Sequence, residues 1–263
     1  MNGLMQTFRT VATPAIVIRR ERMGESHKNL TLLTADLGLV HAAAYGAWKM
    51  HSALRTGSEP FAHSLARLYH DPVKNTFKVT DLEVRESFDG LRADLGRIEA
   101  ASLWAEVVLK SIAAGETTGG LYRLLLSSLR ALETCAADRA PYATAQFLWR
   151  FLDLAGYRPD ASACERCGRA FGEAESAAWL TAPGGIACRA CAAEAGLPLS
   201  AGARRYLEAS RDLDIGAALA VSLDPSSLAG LVKALQHTIR GVLETDLASL
   251  RVAGARQGHE ARR

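Results

Sequence analysis

Two Cys-x-x-Cys pairs, Cys164-Glu165-Arg166-Cys167 and Cys188-Arg189-Ala190-Cys191, stand twenty residues apart in a chain with one further cysteine, Cys135. Two residues between thiols let a short turn aim both sulfurs at a single ion, and a second such turn completes a tetrahedral set. Gly168, just after the first pair, relieves crowding where backbone amides turn toward sulfur. Four thiolates leave no position open for water or substrate, so Cys164, Cys167, Cys188 and Cys191 are expected to hold one structural Zn2+ and to perform no chemistry. A metal-free redox role or an iron–sulfur cluster is the competing use of the same thiols. The intervening AFGEAESAAWLTAPGGIA reads as strand, turn, strand, with Trp179 and Ile186 placed to cover the site. Cys135 lies in a helical stretch without a flanking base and reads as an ordinary buried side chain.

At 263 residues the chain exceeds the common single-domain range, and two domains with a small insertion are the natural organisation. Paired cysteines would make an odd disulfide framework in a sequence that is 49% hydrophobic, whereas a reducing compartment keeps thiols available to metal. The longest apolar runs, such as LYRLLLSSL from Leu121, are interrupted by charge before they could cross a bilayer, and residues 1–12 lack a signal-peptide pattern. The chain therefore reads as soluble and cytoplasmic, with no membrane partner.

The first third alternates like β-strands. TPAIVIRRE gives one strand; KNLTLLTADLGLVHAAAYG gives two, joined by Ala35-Asp36-Leu37-Gly38; FAHSLARLYHD and NTFKVTDLEVRESF give two more around Asp71-Pro72 and Asn75. Five strands left as an open sheet would expose edges, and closure into a five-stranded OB-fold barrel removes them; an open sheet packed on the following helices is the competing arrangement. Residues 1–80 carry ten basic side chains against five acidic ones, while the remainder is slightly acidic. That asymmetry suits a polyanion partner for the N-terminal part.

From residue 89 the period changes to three and four. IEAASLWAEVVLKSIAAGE, GGLYRLLLSSLRALETCA and PYATAQFLWRFLDLAGYRPD predict helices, with Gly119-Gly120 as a break, Pro141 in a first turn and Gly156 with Pro159 as a stop. After the cysteines, LSAGARRYLEAS and SLDPSSLAGLVKALQHTIRGVLETDLASLRV resume the pattern. In the second, Asp224 is placed to cap, with Pro225 in the first turn; Leu228, Leu231, Val232, Leu235, Ile239, Val242 and Leu243 mark one apolar face. The expected class is α+β: a barrel over residues 1–88, a helical domain in two parts (89–159 and 196–250), a zinc ribbon inserted at 160–195, and a frayed tail at 251–263.

This order of parts resembles the RecO family of bacterial recombination mediators across nearly the whole chain. The resemblance is carried by AIVIRRERMGESHKNLTLLTADLGLVHAAAYGAWK at residues 15–49 and FLDLAGYRPDASACERCGR at 151–169. Where the family usually reads Lys-Gly-Ala-Arg after the third strand, this chain has Tyr45-Gly46-Ala47-Trp48-Lys49, an aromatic replacing one cation. The resemblance implies a nucleoid-associated DNA-repair protein that binds single- and double-stranded DNA and anneals complementary strands. It also implies work with RecR, RecF, RecA and the tail of single-strand-binding protein, with RecA loading as the outcome.

Candidate DNA contacts follow from charge and place: Arg19, Arg20 and Arg22 at the end of the first strand, Lys28 at the start of the second, and Lys49 and Arg55 beyond the third. Tyr45 and Trp48 are candidate stacking residues, and packing of either ring into the protein is the alternative. Annealing needs no acid, base or nucleophile, and the sequence holds no phosphate-binding loop, His-Glu-x-x-His or Gly-x-Ser-x-Gly, so an enzyme is not expected. His51, His63 and His70 are irregularly spaced and read as surface or locally bonded histidines. The second class of function left open is a protein-interaction scaffold that docks partners on the barrel and ribbon.

Overall fold

The computed structural model describes residues 9–113, 117–180, 185–192 and 196–249. The expected tail at 251–263 lies outside them. The chain divides into two compact units, one of Met1–Gly90 with Thr117–Leu129 and the other of Leu91–Glu116 with Arg130–Arg263.

The first unit is built on β1 (Thr10–Met23), β2 (His27–Thr34), β3 (Gly38–Ala44), α1 (Leu54–Gly57), β4 (His63–Asp71) and β5 (Thr76–Glu86). The strands close in the order β1-β2-β3-β5-β4, the OB-fold closure expected from the strand count. β1 closes it by serving two neighbours: Ala15–Met23 pair with β2 and Thr10–Ile16 with β4. A register shift between Val17 and Arg19 bends the strand where it changes partner. β3 and β5 meet in parallel at Ala42↔Phe77 and Ala43↔Lys78. The β2–β3 turn falls at the expected place: Gly38 takes φ 74°, the Thr34 hydroxyl donates to its carbonyl at 2.8 Å, and the Leu37 amide donates back to that hydroxyl at 2.9 Å.

Inside the barrel, large Leu30, Leu32, Leu68 and Leu82 interleave with small Ala15, Ala42, Ala44, Ala47 and Ala66, all buried. Small barrels have room for such alternation and for little else. The unit also takes in residues 117–129, the first part of a helix that the change of period alone would assign wholly to the second unit.

The remaining elements are α2 (Asp89–Ala93), α3 (Leu95–Ala113), α4 (Thr118–Thr134), α5 (Ala140–Leu154), β6 (Ala177–Trp179), β7 (Ile186–Ala187), α6 (Arg189–Ala192), β8 (Leu197–Leu199), α7 (Ala201–Ala209), α8 (Ile215–Ala218) and α9 (Pro225–Leu243). Gly119 and Gly120 lie in the first turn of α4 and do not break a helix pair as expected. α5 is the spine of the second unit, burying Phe147, Leu148, Phe151 and Leu152; Phe147 stacks on Trp104 of α3 with centroids 4.9 Å apart. It ends as its sequence requires: Gly156 takes φ 77° and the Tyr157 amide reaches back to the Leu152 carbonyl at 2.8 Å. α9 starts on the Asp224 cap and buries Leu228, Leu231, Ala234, Leu235 and Ile239. β8 joins β7 and β6 in a three-stranded sheet, a strand the sequence reading lacks. Among the described residues no helix is long and apolar enough to cross a membrane.

Candidate nucleic-acid interface and metal centre

The four cysteines converge. Cys164, Cys167, Cys188 and Cys191 bring their sulfurs within 4.8 Å of one another, close to the spacing of about 3.8 Å that four sulfurs keep around a zinc at about 2.3 Å. Two backbone turns build the site. The Gly168 amide donates to the Cys164 carbonyl at 2.8 Å with Gly168 at φ 69°, and the Cys191 and Ala192 amides donate to the Cys188 carbonyl at 3.0 and 2.8 Å. The Cys188 amide reaches the Cys164 sulfur at 3.3 Å.

Burial opposes ionisation of Cys164, yet the amides of Cys188, Cys167 and Arg166 outweigh it and draw that thiol down to about 6. The Cys191 amide and thiol likewise lower Cys188. Cys191, facing the sulfurs of Cys188 and Cys167, is pushed up to about 12. Four sulfurs this close repel one another once ionised, and a dication among four thiolates would remove that repulsion. The four residues are close enough to hold a metal ion, and an all-sulfur tetrahedral set suits zinc.

Trp179 and Ile186 do not cover the sulfurs as expected. Register pairs Ala178 with Ala187 and Trp179 with Ile186, and alternation puts the two pairs on opposite faces of the sheet. Ala178 and Ala187 pack with Cys164, Leu180, Cys188 and Ala192. Trp179 points into the helices, donating from Nε1 to Thr238 Oγ1 of α9 at 2.7 Å and meeting Trp149 of α5 edge-on at 6.2 Å. A second anchor is Arg204 of α7, only 2% exposed. Its guanidinium donates to the carbonyls of Ala161 and Gly172 and to Glu208, and lies 5.1 Å from the Phe171 ring centroid.

On the barrel, cations and aromatic rings gather where the β1–β2 hairpin meets the turn after β3. The Trp48 amide donates to the Ser26 carbonyl at 3.0 Å and the Gly46 amide to His27 Nδ1 at 2.8 Å, fixing one turn on the other. Trp48, 40% exposed, has the Lys28 ammonium 4.5 Å and the Arg20 guanidinium 5.0 Å from its ring centroid. Glu59, following α1, pairs with both cations, accepting from Arg20 on one oxygen and from Lys28 at 2.9 Å on the other. Beside this cluster Tyr45, 52% exposed, meets His27 edge-on at 5.1 Å, and the Lys78 ammonium of β5 lies 5.9 Å from its centroid.

Comparison with known proteins agrees with this architecture. Residues 5–88 match the family described as Recombination protein O N terminal, and residues 92–251 match Recombination protein O C terminal. The chain belongs to the RecO family. A DNA repair protein RecO of Roseiflexus is 34% identical over 247 residues, covering 92% of this chain and 84% of that protein. One of Heliobacterium modesticaldum is 33% identical over 250 residues, covering 92% and 88%. A third, from Dehalococcoides mccartyi, is 28% identical over 239 residues, covering 90% and 92%. A role in DNA repair therefore attaches to this RecO family chain, together with the OB-fold barrel and the cysteine cluster.

Within this RecO family barrel the proposed contacts fall into unlike settings. Arg22, Lys49 and Arg55 are exposed, with Arg22 donating to the Gly24 carbonyl at 3.0 Å and Arg55 weakly to Met50 at 3.4 Å. Arg19 is exposed but pairs with Glu21 at 3.0 Å, and alternation along β1 sends both to the face opposite Arg20 and Arg22. Lys28 differs from its expected display: it is fully buried, its ammonium donating to Ser58 Oγ at 2.7 Å as well as to Glu59, and burial lowers its proton affinity against the pull of Glu59. Lys78, absent from the sequence-based set, stands beside Tyr45; its alternating place on β5 was the available signal. Of the histidines, His70 is bonded locally, to Asn75 at 3.1 Å, whereas His63 is buried and bonded to the distant Glu86 at 2.7 Å and Tyr122 at 2.9 Å.

Proposed function

We propose that this chain is a non-catalytic recombination mediator that binds single- and double-stranded DNA on its barrel, anneals complementary strands and, with RecR, assists RecA loading. The observation that carries the reading is the pairing of exposed rings with cations at one end of an OB-fold barrel: Tyr45 beside Lys78, and Trp48 beside Arg20. Rings of this kind stack on unpaired bases, and cations meet phosphates and release counterions. Arg22, Lys49 and Arg55 extend the basic surface, Lys28 supports it from inside, and Arg19 is proposed as a separate contact on the other face of β1. A surface that lowers repulsion between two phosphate backbones and leaves base edges accessible suffices for annealing, with no group required to move a proton.

RecF and the acidic tail of single-strand-binding protein are further proposed partners, and the cytoplasm, at the nucleoid, is the proposed location. The metal is proposed to be one zinc ion with a structural role, Cys164, Cys167, Cys188 and Cys191 completing its coordination. Titration of a fluorescent single-stranded oligonucleotide at several salt concentrations tests the central claim. The wild type is expected to bind with a steep salt dependence, and a folded variant with Arg19, Arg20, Arg22 and Lys49 changed to Ala is expected to bind more weakly with a shallower slope. Absence of binding by the wild type at low salt would instead favour the protein-interaction scaffold.

A further inference from the structure

We propose that Glu59 is a built-in occupant of a phosphate site: its carboxylate holds Arg20 in the free protein and yields it to a backbone phosphate of bound DNA. The inference rests on the reading of the barrel as a DNA platform. Arg20 and Glu59 are in contact with side chains 33% and 25% exposed, so the pair is open to solvent and to a competing anion. A carboxylate and a phosphate are alternative acceptors for the same guanidinium fork.

The two cations that share Glu59 are not equivalent. Lys28 is fully buried beneath the Trp48 ring and tied to Ser58 Oγ at 2.7 Å and to Glu59 at 2.9 Å, so it is not displayed to an outside ligand. Arg20 is displayed. When it leaves, Glu59 keeps Lys28 as its partner, so the exchange strands no carboxylate and unpairs no buried cation. Arg20 also keeps a neighbour in Trp48, over which it already lies at 5.0 Å. A base stacked near Trp48 would bring its own phosphate toward this guanidinium.

The functional consequence is moderation. Binding replaces one ion pair with another, so Arg20 adds less affinity than a free arginine would, and Glu59 recaptures it when the strand departs. A protein that passes strands to others gains from such reversibility.

The decisive variant is Lys28→Met with Glu59→Gln, which leaves net charge unchanged but frees Arg20. Simple charge counting predicts no change for it. The proposal predicts a several-fold lower Kd for single-stranded oligonucleotide in low salt, and a log–log salt slope steeper by up to about 0.7, one further phosphate contact. Adding Arg20→Ala should abolish the gain. Should the double variant fail to fold, Glu59→Gln alone is compared with Glu83→Gln, which removes the same charge from an exposed position on β5, and only the former should show an Arg20-dependent gain. Equal or weaker binding by the Arg20-freed variants, or a gain that persists without Arg20, would overturn the proposal while leaving the DNA platform intact. A wild type that binds no oligonucleotide would overturn the platform itself.

Discussion

Arg204 carries a full charge into the second unit and spends every face of it on structure. Its guanidinium satisfies the Ala161 and Gly172 carbonyls and the Glu208 carboxylate, and its plane covers Phe171. Changing Arg204 to Met keeps the aliphatic stem but takes the guanidinium donor from the carbonyl of buried Ala161, while Gly172 still accepts from the Glu175 amide at 3.1 Å, and is expected to cost about 1–3 kcal/mol in denaturant unfolding; Lys should not restore it, because a single ammonium cannot reproduce the planar fork. Nothing in LSAGARRYLEAS distinguishes Arg204 from the exposed Arg205 beside it. Lys28 was equally opaque. Its charge was legible, but its burial depends on Ser58 and Glu59, thirty residues along the chain. The four cysteines were legible as a set because metal geometry limits their spacing locally. Trp179 was misjudged because the face of a strand is set by the register it adopts with its partner.

At the scale of elements, α9 shows why helices were easier to read. Its start is written in consecutive residues: Asp224 accepts from the Ser227 amide at 2.9 Å and from the Ser226 hydroxyl at 2.7 Å, and Pro225 needs no amide partner in the first turn. These bonds, that of Ser226 foremost, hold the Asp224 carboxyl down to about 2 from an ordinary 3.8. A carboxyl depressed by folding stabilises the fold above its unfolded value, and that contribution is lost as pH falls through the folded value. Asp224→Ala is therefore expected to melt at lower temperature than the wild type at pH 7, with the gap closing between about pH 4 and pH 2. Asp224→Asn retains an acceptor without a titrating charge and should show a smaller gap with little pH dependence. Elements whose signal is not local were missed or misplaced: β8 has three residues and exists through its pairing with β6, and the glycines at the start of α4 were mistaken for a gap.

For the whole molecule, the division into two units separates the proposed work from the proposed metal site. The cations and rings proposed to meet DNA belong to the first unit, and all four cysteines to the second. The OB-fold closure was legible because five alternating segments have few ways to hide their edges, whereas the membership of Thr117–Leu129 in the first unit was hidden by the helical period it shares with α4 as a whole. Each unit has its own apolar core, and a loss of structure in one need not unfold the other. Removing the metal with a chelator, or replacing Cys188 by Ser, should release the turns at Cys164–Gly168 and Cys188–Ala192 first. Trypsin should then cut at Arg166, Arg169 and Arg189 well before other sites, and metal uptake should weaken in acid as the thiolates protonate. Disorder should next reach α9, because Trp179 is bonded to Thr238 there. Oligonucleotide affinity and its salt slope should stay near the wild-type values under the same treatment. A parallel collapse of DNA binding would mean that the cysteine module contributes to the DNA surface or that the two units are stable only together, and proteolysis of the barrel segment would tell these apart: cleavage within residues 9–88 signals shared stability, and a protected barrel signals a direct contribution from the ribbon.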